Sequence, residues 1–393
     1  MATTITSGVQ YSGIWTLQQA HDAISASTWP PAYDPGYLFT WGDNDIADGK
    51  LGLNVSGATH NKSSPVQVGS SSEWRDVNIS GRTAHAIKSN GTLWAWGFND
   101  QSKIGDGTEI SRSSPVQIGA LTTWASAVSG AYSVYAIKTD GTLWSWGDNT
   151  SGALGNNNAS VLEHSSPIQV GSLTTWLKVA AGPYYCFAIK TDGTLWGWGR
   201  ASSGQLGDNQ GNAVSSPKQV GSSTNWASVG TRHASSMVLA ITTSGQLYAW
   251  GNNGSGQLGN NTIISVSSPI QIGALTNWSK ATANGFSFAL KTDGTMWSWG
   301  AGGQGMTGHG DAIDRSSPKQ IGSLSTWAKI SAGNPNGFAI KTNGTLWSWG
   351  GNSSANLGHN DTIYRSSPKQ VGALTSWLVV SASDIHTACI NNY

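Results

Sequence analysis

The dipeptide Trp-Gly returns at Trp41, Trp96, Trp146, Trp198, Trp250, Trp299 and Trp349, at spacings of 55, 50, 52, 52, 49 and 50 residues. A Ser-Ser-Pro element returns in step, with its proline at Pro65, Pro115, Pro167, Pro217, Pro269, Pro318 and Pro368. A further tryptophan follows each proline, at Trp74, Trp124, Trp176, Trp226, Trp278, Trp327 and Trp377. Three markers in one order, seven times over, call for an architecture in which like units pack on like units.

Each unit reads as β. Ala136 to Gly147 is a pair of short strands around an Asp-Gly turn, with Leu143 and Ser145 on one face and Trp144 and Trp146 on the other. Large side chains on both faces need a partner sheet on each side. The small residues after each spacer tryptophan, as in Ala127 to Gly130, suit an innermost strand crowded around an axis. Pro115 to Ile118 suits an outer edge, where a proline forfeits no ladder bond. Four strands, about 50 residues and many copies describe a propeller blade. The last repeat stops before any Trp-Gly strand, and the first Trp-Gly strand, Tyr37 to Gly42, has no half-repeat before it. Pairing these halves closes the ring and leaves no open end. The expected fold is an all-β, seven-bladed propeller of four-stranded antiparallel blades over residues 37–393, behind a short helical or extended segment, 1–36.

The run Gly-Thr-Leu-Trp-Ser-Trp-Gly, followed by Gly-x-Leu-Gly, Ser-Ser-Pro and a spaced tryptophan, resembles the repeat of the regulator-of-chromosome-condensation propeller family. Gly152 to Gly155, Gly204 to Gly207 and Gly256 to Gly259 are full copies of Gly-x-Leu-Gly; Ser102 to Gly105, Gly305 to Gly308 and Ala355 to Gly358 are weakened ones, read as drift in turns. The resemblance implies a binding platform made of loops and faces, as in a nucleotide-exchange factor that docks on nucleosomes and a secreted β-lactamase inhibitor. It does not carry the exchange factor's chromatin role here, because neither a basic extension nor an exchange loop is recognisable.

Ahead of the repeats, Tyr11 to Ala20 and Thr28-Trp29-Pro30 resemble a short module near the ends of tailed-phage virion proteins, particularly marine ones. Leu17, Ala20 and Ile24 fall on one face of a short helix. Such a helix needs a partner surface, either the propeller itself or another subunit. Tyr11, Ile14, Trp15, Leu17 and Trp29 are the anchoring candidates.

No catalytic constellation stands out, and the expectation is a protein that is not an enzyme. Asp140, Asp192 and Asp293 interchange with Asn90 and Asn343 in one hairpin position, which turn geometry explains and paired acid–base carboxylates would not tolerate. Asp43, Asp45 and Asp48 fail the spacing of a calcium loop. His85 and His386 read as packing residues inside blades. Cys186 and Cys389 read as buried free thiols, and no metal or cofactor is expected. Lys88, Lys138, Lys190, Lys291 and Lys341 share one repeat position and read as a solvated ring, with an anionic glycan or polymer as the functional alternative. The loops before Ser-Ser-Pro vary in length and carry Arg112, Glu163, Arg315, Tyr364 and Arg365, the candidate contacts of a rigid scaffold.

With 10% charged residues and a formal net charge of +1, nothing favours nucleic acid. No apolar stretch is long enough for membrane insertion, and the N-terminus lacks a secretory signal. The leading expectation is a virion structural or display protein, in a phage tail, fibre or capsid decoration. Its partners would be other virion proteins or a host-surface protein or glycan, with homo-oligomerisation through the N-terminal segment. It would reside in the virion, or otherwise in the cytoplasm until released on lysis. The alternative is a free protein-binding propeller, such as an enzyme inhibitor or adaptor.

Overall fold

The computed structural model describes residues 35–44, 48–57, 60–158 and 162–393. Seven four-stranded antiparallel sheets form the blades of a ring. In blade 3 the order from axis to rim is Trp176–Ala181, Tyr185–Lys190, Leu195–Gly199 and Val214–Gln219. The strand of small residues is therefore innermost, the Trp-Gly strand is third, and the Ser-Ser-Pro strand is the outer edge, as its proline requires. Blades 1, 2, 4, 5 and 6 repeat this order, with inner strands Trp74–Ser80, Trp124–Ser129, Trp226–Gly230, Trp278–Ala283 and Trp327–Ala332.

Blade 7 is composite. Its inner strands, Trp377–Ala382 and His386–Asn391, end the chain, and its outer strands, Tyr37–Gly42 and Lys62–Gln67, begin the ring. Tyr37–Gly42 pairs His386–Asn391 residue for residue from Tyr37↔Asn391 to Gly42↔His386. The final inner strand packs against that of blade 1, so the circle is complete. The anchoring candidates Tyr11, Ile14, Trp15, Leu17 and Trp29, and with them the N-terminal oligomerisation expectation, lie outside the described residues.

Strand alternation gives the ring two faces. One, here the loop face, carries the turns between first and second strands and the long loops between third and fourth. The other, the hairpin face, carries the Asp-Gly hairpins and the connections between blades.

Blades are latched to each other by the two motifs that dominate the sequence. The indole Nε1 of Trp146 donates to Lys103 O at 2.8 Å, that of Trp198 to Ala153 O at 2.8 Å, that of Trp250 to Gln205 O at 2.8 Å and that of Trp349 to Met306 O at 2.9 Å. Trp96 and Trp41 donate in the same way to Lys50 O at 3.2 Å and Asn356 O at 2.7 Å. Each acceptor is the x residue of Gly-x-Leu-Gly in the preceding blade. The closing glycine of that element lies against the same indole; a Cβ on Gly155, at φ +70°, would meet Trp198 Nε1 at 2.6 Å. Gly52 ends a seventh copy, Gly49 to Gly52, and rests on Trp96. The weakened copies all keep this last glycine; two vary the first, where Ser102 and Ala355 adopt φ of 52° and 55°, and Gly305 to Gly308 carries Thr307 in place of leucine. The changes leave the latch intact.

A candidate binding face and its supports

The third strand ends in Trp-Gly-x-Asn in five blades, and those asparagines, Asn44, Asn99, Asn149, Asn253 and Asn352, are fully buried. Their Oδ1 accepts the N–H of the leucine or isoleucine in Gly-x-Leu-Gly: Ile104 at 2.8 Å, Leu154 at 3.0 Å, Leu258 at 2.8 Å and Leu357 at 2.9 Å. Their amide groups hold the outgoing loop. Asn99, Asn253 and Asn352 Nδ2 donate to Ile110 O at 3.2 Å, Ile264 O at 3.1 Å and Ile363 O at 3.3 Å, while Asn149 N donates to Leu162 O at 2.7 Å. In these five blades one asparagine thus fixes both halves of the long loop; blades 3 and 5 have Ala201 and Gly302 at this position. The Trp-Gly-x-Asn spacing was there to be read and is missing from the sequence reading.

The loop arginines turn inward. Arg315 Nη1 donates to Ile313 O at 2.8 Å and to Asp311 Oδ1 at 3.0 Å, and its Nη2 to Asp311 Oδ2 at 2.6 Å. Arg365 makes the same fork to Ile363 O at 2.7 Å and Asp361 at 2.9 and 2.7 Å. Arg112 grips Asp106, its Nε donating at 2.7 Å. The arginine hydrogen bonds hold the Asp311 and Asp361 carboxyls down at about 2. Glu163 begins the edge strand of blade 2 and is half-buried. Tyr364 projects into solvent, 48% exposed.

What these clamps present is apolar. Ile110, Leu162, Ile264, Ile313 and Ile363 are 60%, 67%, 70%, 61% and 63% exposed, and each stands five residues before the proline of Ser-Ser-Pro. Blades 3 and 7 carry Asn212 and His60 at this position.

Nearer the axis the loop face is aromatic and charged. Tyr132 and Tyr184 stack at 4.3 Å, Arg200 lies over Tyr184 at 5.7 Å, and Arg82 over Phe98 at 4.1 Å. At the centre Arg232 of blade 4 reaches across the axis, its Nη2 donating to Ala382 O of blade 7 at 2.7 Å and Ile79 O of blade 1 at 3.2 Å. His233 Nε2 meets Asp384 Oδ1 at 2.7 Å beside it. Burial pushes the Arg232 guanidinium down to about 10.

One sequence reading changes. The repeated lysines are not a solvated ring: Lys138 Nζ lies 3.5 Å from the centroid of Trp144 and 5.0 Å from that of Trp124, and Lys190, Lys291 and Lys341 repeat this arrangement. Each ammonium sits on ring π-density, which spends it on packing and leaves little of it for a polyanion. Asp43 and Asp48 face an internal cation, the buried Lys50 ammonium, at 3.1 and 4.0 Å, and Arg82 Nε sits 2.7 Å from Asp48. His85 is buried as expected, with Nε2 at 2.8 Å from Lys103 O and Nδ1 at 2.8 Å from Ser129 Oγ. It occupies the position of Tyr135 and Phe187, whereas His386 pairs with Gly42, two residues earlier in the register. Burial drives both imidazoles down to about 3. Cys186 and Cys389 are buried free thiols.

Residues 33–333 match the family described as RCC1-like domain. The chain belongs to that family. Residues 343–390 match the Regulator of chromosome condensation (RCC1) repeat as well. Among curated relatives, the E3 ubiquitin-protein ligase HERC2 of Homo sapiens is 25% identical over 58% of this chain. Protein RCC2 of Mus musculus is 39% identical over 21% of it, and the mitochondrial RCC1 domain-containing protein RUG3 of Arabidopsis thaliana is 32% identical over 29%. These matches span 5%, 16% and 26% of the relatives' own lengths. Human WBSCR16 superposes with a TM-score of 0.81 at 18% identity, covering 91% of this chain and 98% of its own. Prp20p of Saccharomyces cerevisiae superposes at 0.83 with 17% identity, covering 98% of this chain and 96% of its own.

The RCC1-like relatives overturn the virion reading. They are cellular eukaryotic proteins, one of them named as mitochondrial, and Prp20p is described with binding to Gsp1p and histones. Neither family match includes residues 1–32, and nothing supports a phage module there. Virion proteins, a host-surface protein or glycan, and a virion location or release on lysis are accordingly withdrawn. The resemblance over 37–393 was to the right family; the twenty-residue likeness ahead of it was too short to outweigh it.

Proposed function

We propose that this RCC1-like propeller is a protein-binding platform without catalysis, and that its partner docks on the loop face. The observation that carries this reading is the ring of five clamped aliphatic side chains, Ile110, Leu162, Ile264, Ile313 and Ile363. Single exposed aliphatics are ordinary. These five recur at one repeat position, and buried asparagines and Arg–Asp forks hold the main chain beneath them. Rigid apolar groups lose little conformational entropy when a partner covers them. The stacked tyrosines and the arginines on Tyr184 and Phe98 add the residue types enriched at interface hot spots. The binding of Gsp1p and histones described for Prp20p, and its complex with Kap60, support a protein as the class of partner.

The test is site-specific photo-crosslinking from positions 313 and 363 on the loop face, compared with 324 and 374 on the hairpin face, in extract of the source cells. Capture of one protein from the loop face, lost when Ile110 and Ile264 are both changed to Ser, supports the reading. Equal capture from both faces, or indifference to those substitutions, sinks it.

A further inference from the structure

Six of the seven arginines engage their guanidinium within the fold. Arg112, Arg315 and Arg365 bind Asp106, Asp311 and Asp361, and Arg82 pairs with Asp48 at 2.7 Å. Arg75 and Arg232 donate to the main chain, at Ala125 O and Ala382 O, 2.9 and 2.7 Å away. Arg200 is the exception. Its Nε donates to Ser202 Oγ at 3.0 Å, and its guanidinium carbon lies 5.7 Å from the centre of the Tyr184 ring. Among the described residues no carboxylate or carbonyl takes its two Nη groups.

Arg200 lines a cleft of about 110 Å³ on the loop face, at the joint between blades 3 and 4. Tyr184, Ser202, Ser203, Gln205 and Ser236 line it too, and none of its lining residues is acidic. Ser202 and Tyr184, the two neighbours of the guanidinium, are both among them, which places the cation on the cleft wall. That wall is fixed. Arg200 N donates to Tyr184 O at 2.8 Å, and Ser203 N to Gln205 Oε1 at 2.7 Å. Gln205 O in turn accepts the latch bond of Trp250 at 2.8 Å. On the far side, Tyr185 OH meets Thr231 Oγ1 of blade 4 at 2.6 Å.

The repeat singles out this blade. Arg200 follows Trp198-Gly199, where the other blades have Asp43, Phe98, Asp148, Asn252, Ala301 and Gly351. Blade 3 is also one of the two that lack the exposed aliphatic, with Asn212 in its place. A ring of like aliphatic side chains says little about how a partner is rotated about the axis. One cation at a single blade breaks that near-symmetry, and charge placed in this way sets register and rejects wrong partners. A guanidinium with both Nη groups unengaged matches a carboxylate in fork geometry. Ser202 Oγ accepts from Nε, so its own proton remains for the same anion.

We propose that the loop-face partner seats an Asp or Glu side chain in this cleft, its carboxylate forked by the Nη groups of Arg200. The inference rests on the loop-face platform and names what the partner carries beside its apolar patch.

The experiment selects displayed random dodecapeptides on the immobilised full chain and measures the winners, as synthetic peptides, by fluorescence polarisation. Peptides that bind the native chain and fail on Arg200→Gln should share an Asp or Glu. Changing that residue to Asn or Gln should weaken binding to the native chain about tenfold, as loss of a bidentate charged pair does. The same change should leave residual binding to Arg200→Gln unaltered. The proposal is overturned if no peptide depends on Arg200, or if those that do carry no acidic residue. Peptides lost when Ile110 and Ile264 are both changed to Ser, yet indifferent to Arg200→Gln, would keep the platform and overturn its acidic anchor. Peptides with the opposite dependence would support the cleft and count against the platform.

Discussion

Phe39 lies opposite Cys389 in the antiparallel ladder that joins the first strand of the ring to the last, and its ring meets Trp377 edge-on at 5.5 Å. The two ends of the described chain are thus parts of one sheet and one core. Leu38 is buried beside Ile390 in the neighbouring cluster. Leu38→Ala should cost about 2–5 kcal/mol, as for other buried leucines. Deleting Tyr37–Gly42 should cost considerably more, because it exposes two sheet edges as well. Urea unfolding of both variants checks this, and equal midpoints would contradict closure by this strand.

The latch separates two glycines of similar backbone. Gly155 and Gly171 have φ of +70° and +63°, yet a Cβ on Gly171 meets nothing within 4 Å. Gly171→Ala should cost only the strain of the left-handed backbone, about 1 kcal/mol. Gly155→Ala must also move Trp198 and should cost roughly 1–3 kcal/mol more. A calorimetric ranking with Gly171→Ala the worse of the two would refute the latch.

Acid should weaken the fold through its buried imidazoles. His85 and His386 stay neutral in the folded chain down to about 3. In the unfolded chain each takes a proton near about pH 6.5. Between those values the unfolded state binds more protons, so stability is full above the upper one and falls as pH drops. The loss is about 2 kcal/mol per histidine from about pH 7 to about pH 5. His309 and His359, lowered to about 4, add to the slope, so His85→Phe, which copies Phe187, should flatten it by about a quarter, which denaturation midpoints at the two pH values would show.

Lys138 should resist replacement by an apolar side chain of similar length. Its ammonium over Trp144 and Trp124 is worth about 0.5–2 kcal/mol, and Lys138→Met keeps the stem while losing that term. Lys138→Arg retains a cation above the rings and should lie closer to the native stability. Thermal melts that place Met above Arg would show that the stem alone matters.

The fold was legible because its signals are local. Trp-Gly, Ser-Ser-Pro and the small inner strand each declare their own position in a blade, and the two half-repeats declare the closure. The supports of the binding face were harder to see. The lysine ring looked solvated because its two tryptophans come from strands on either side in sequence, and only the sheet brings them over one ammonium. Lys178, Lys280 and Lys329 give no local signal for a related reason: their ammoniums donate to the main-chain carbonyls of Ala227, Ala328 and Leu378, 48 to 49 residues away in the next blade. The loop arginines were visible as residues, but their inward fork to Asp311 and Asp361 hid the isoleucines that they present.

The latches all point one way around the ring: in six of the seven joints the loop of one blade accepts from the tryptophan of the blade that follows it, and at the seventh Trp299 rests on Gly259 without the bond. The bond from Trp41 to Asn356 O completes that circuit between residues 315 apart in sequence, and it has the same form as those between consecutive blades. Proximity along the chain therefore plays no part in the joint. A gene rearranged to join the native ends and begin at another blade would encode the same seven interfaces, with only the site of its termini moved.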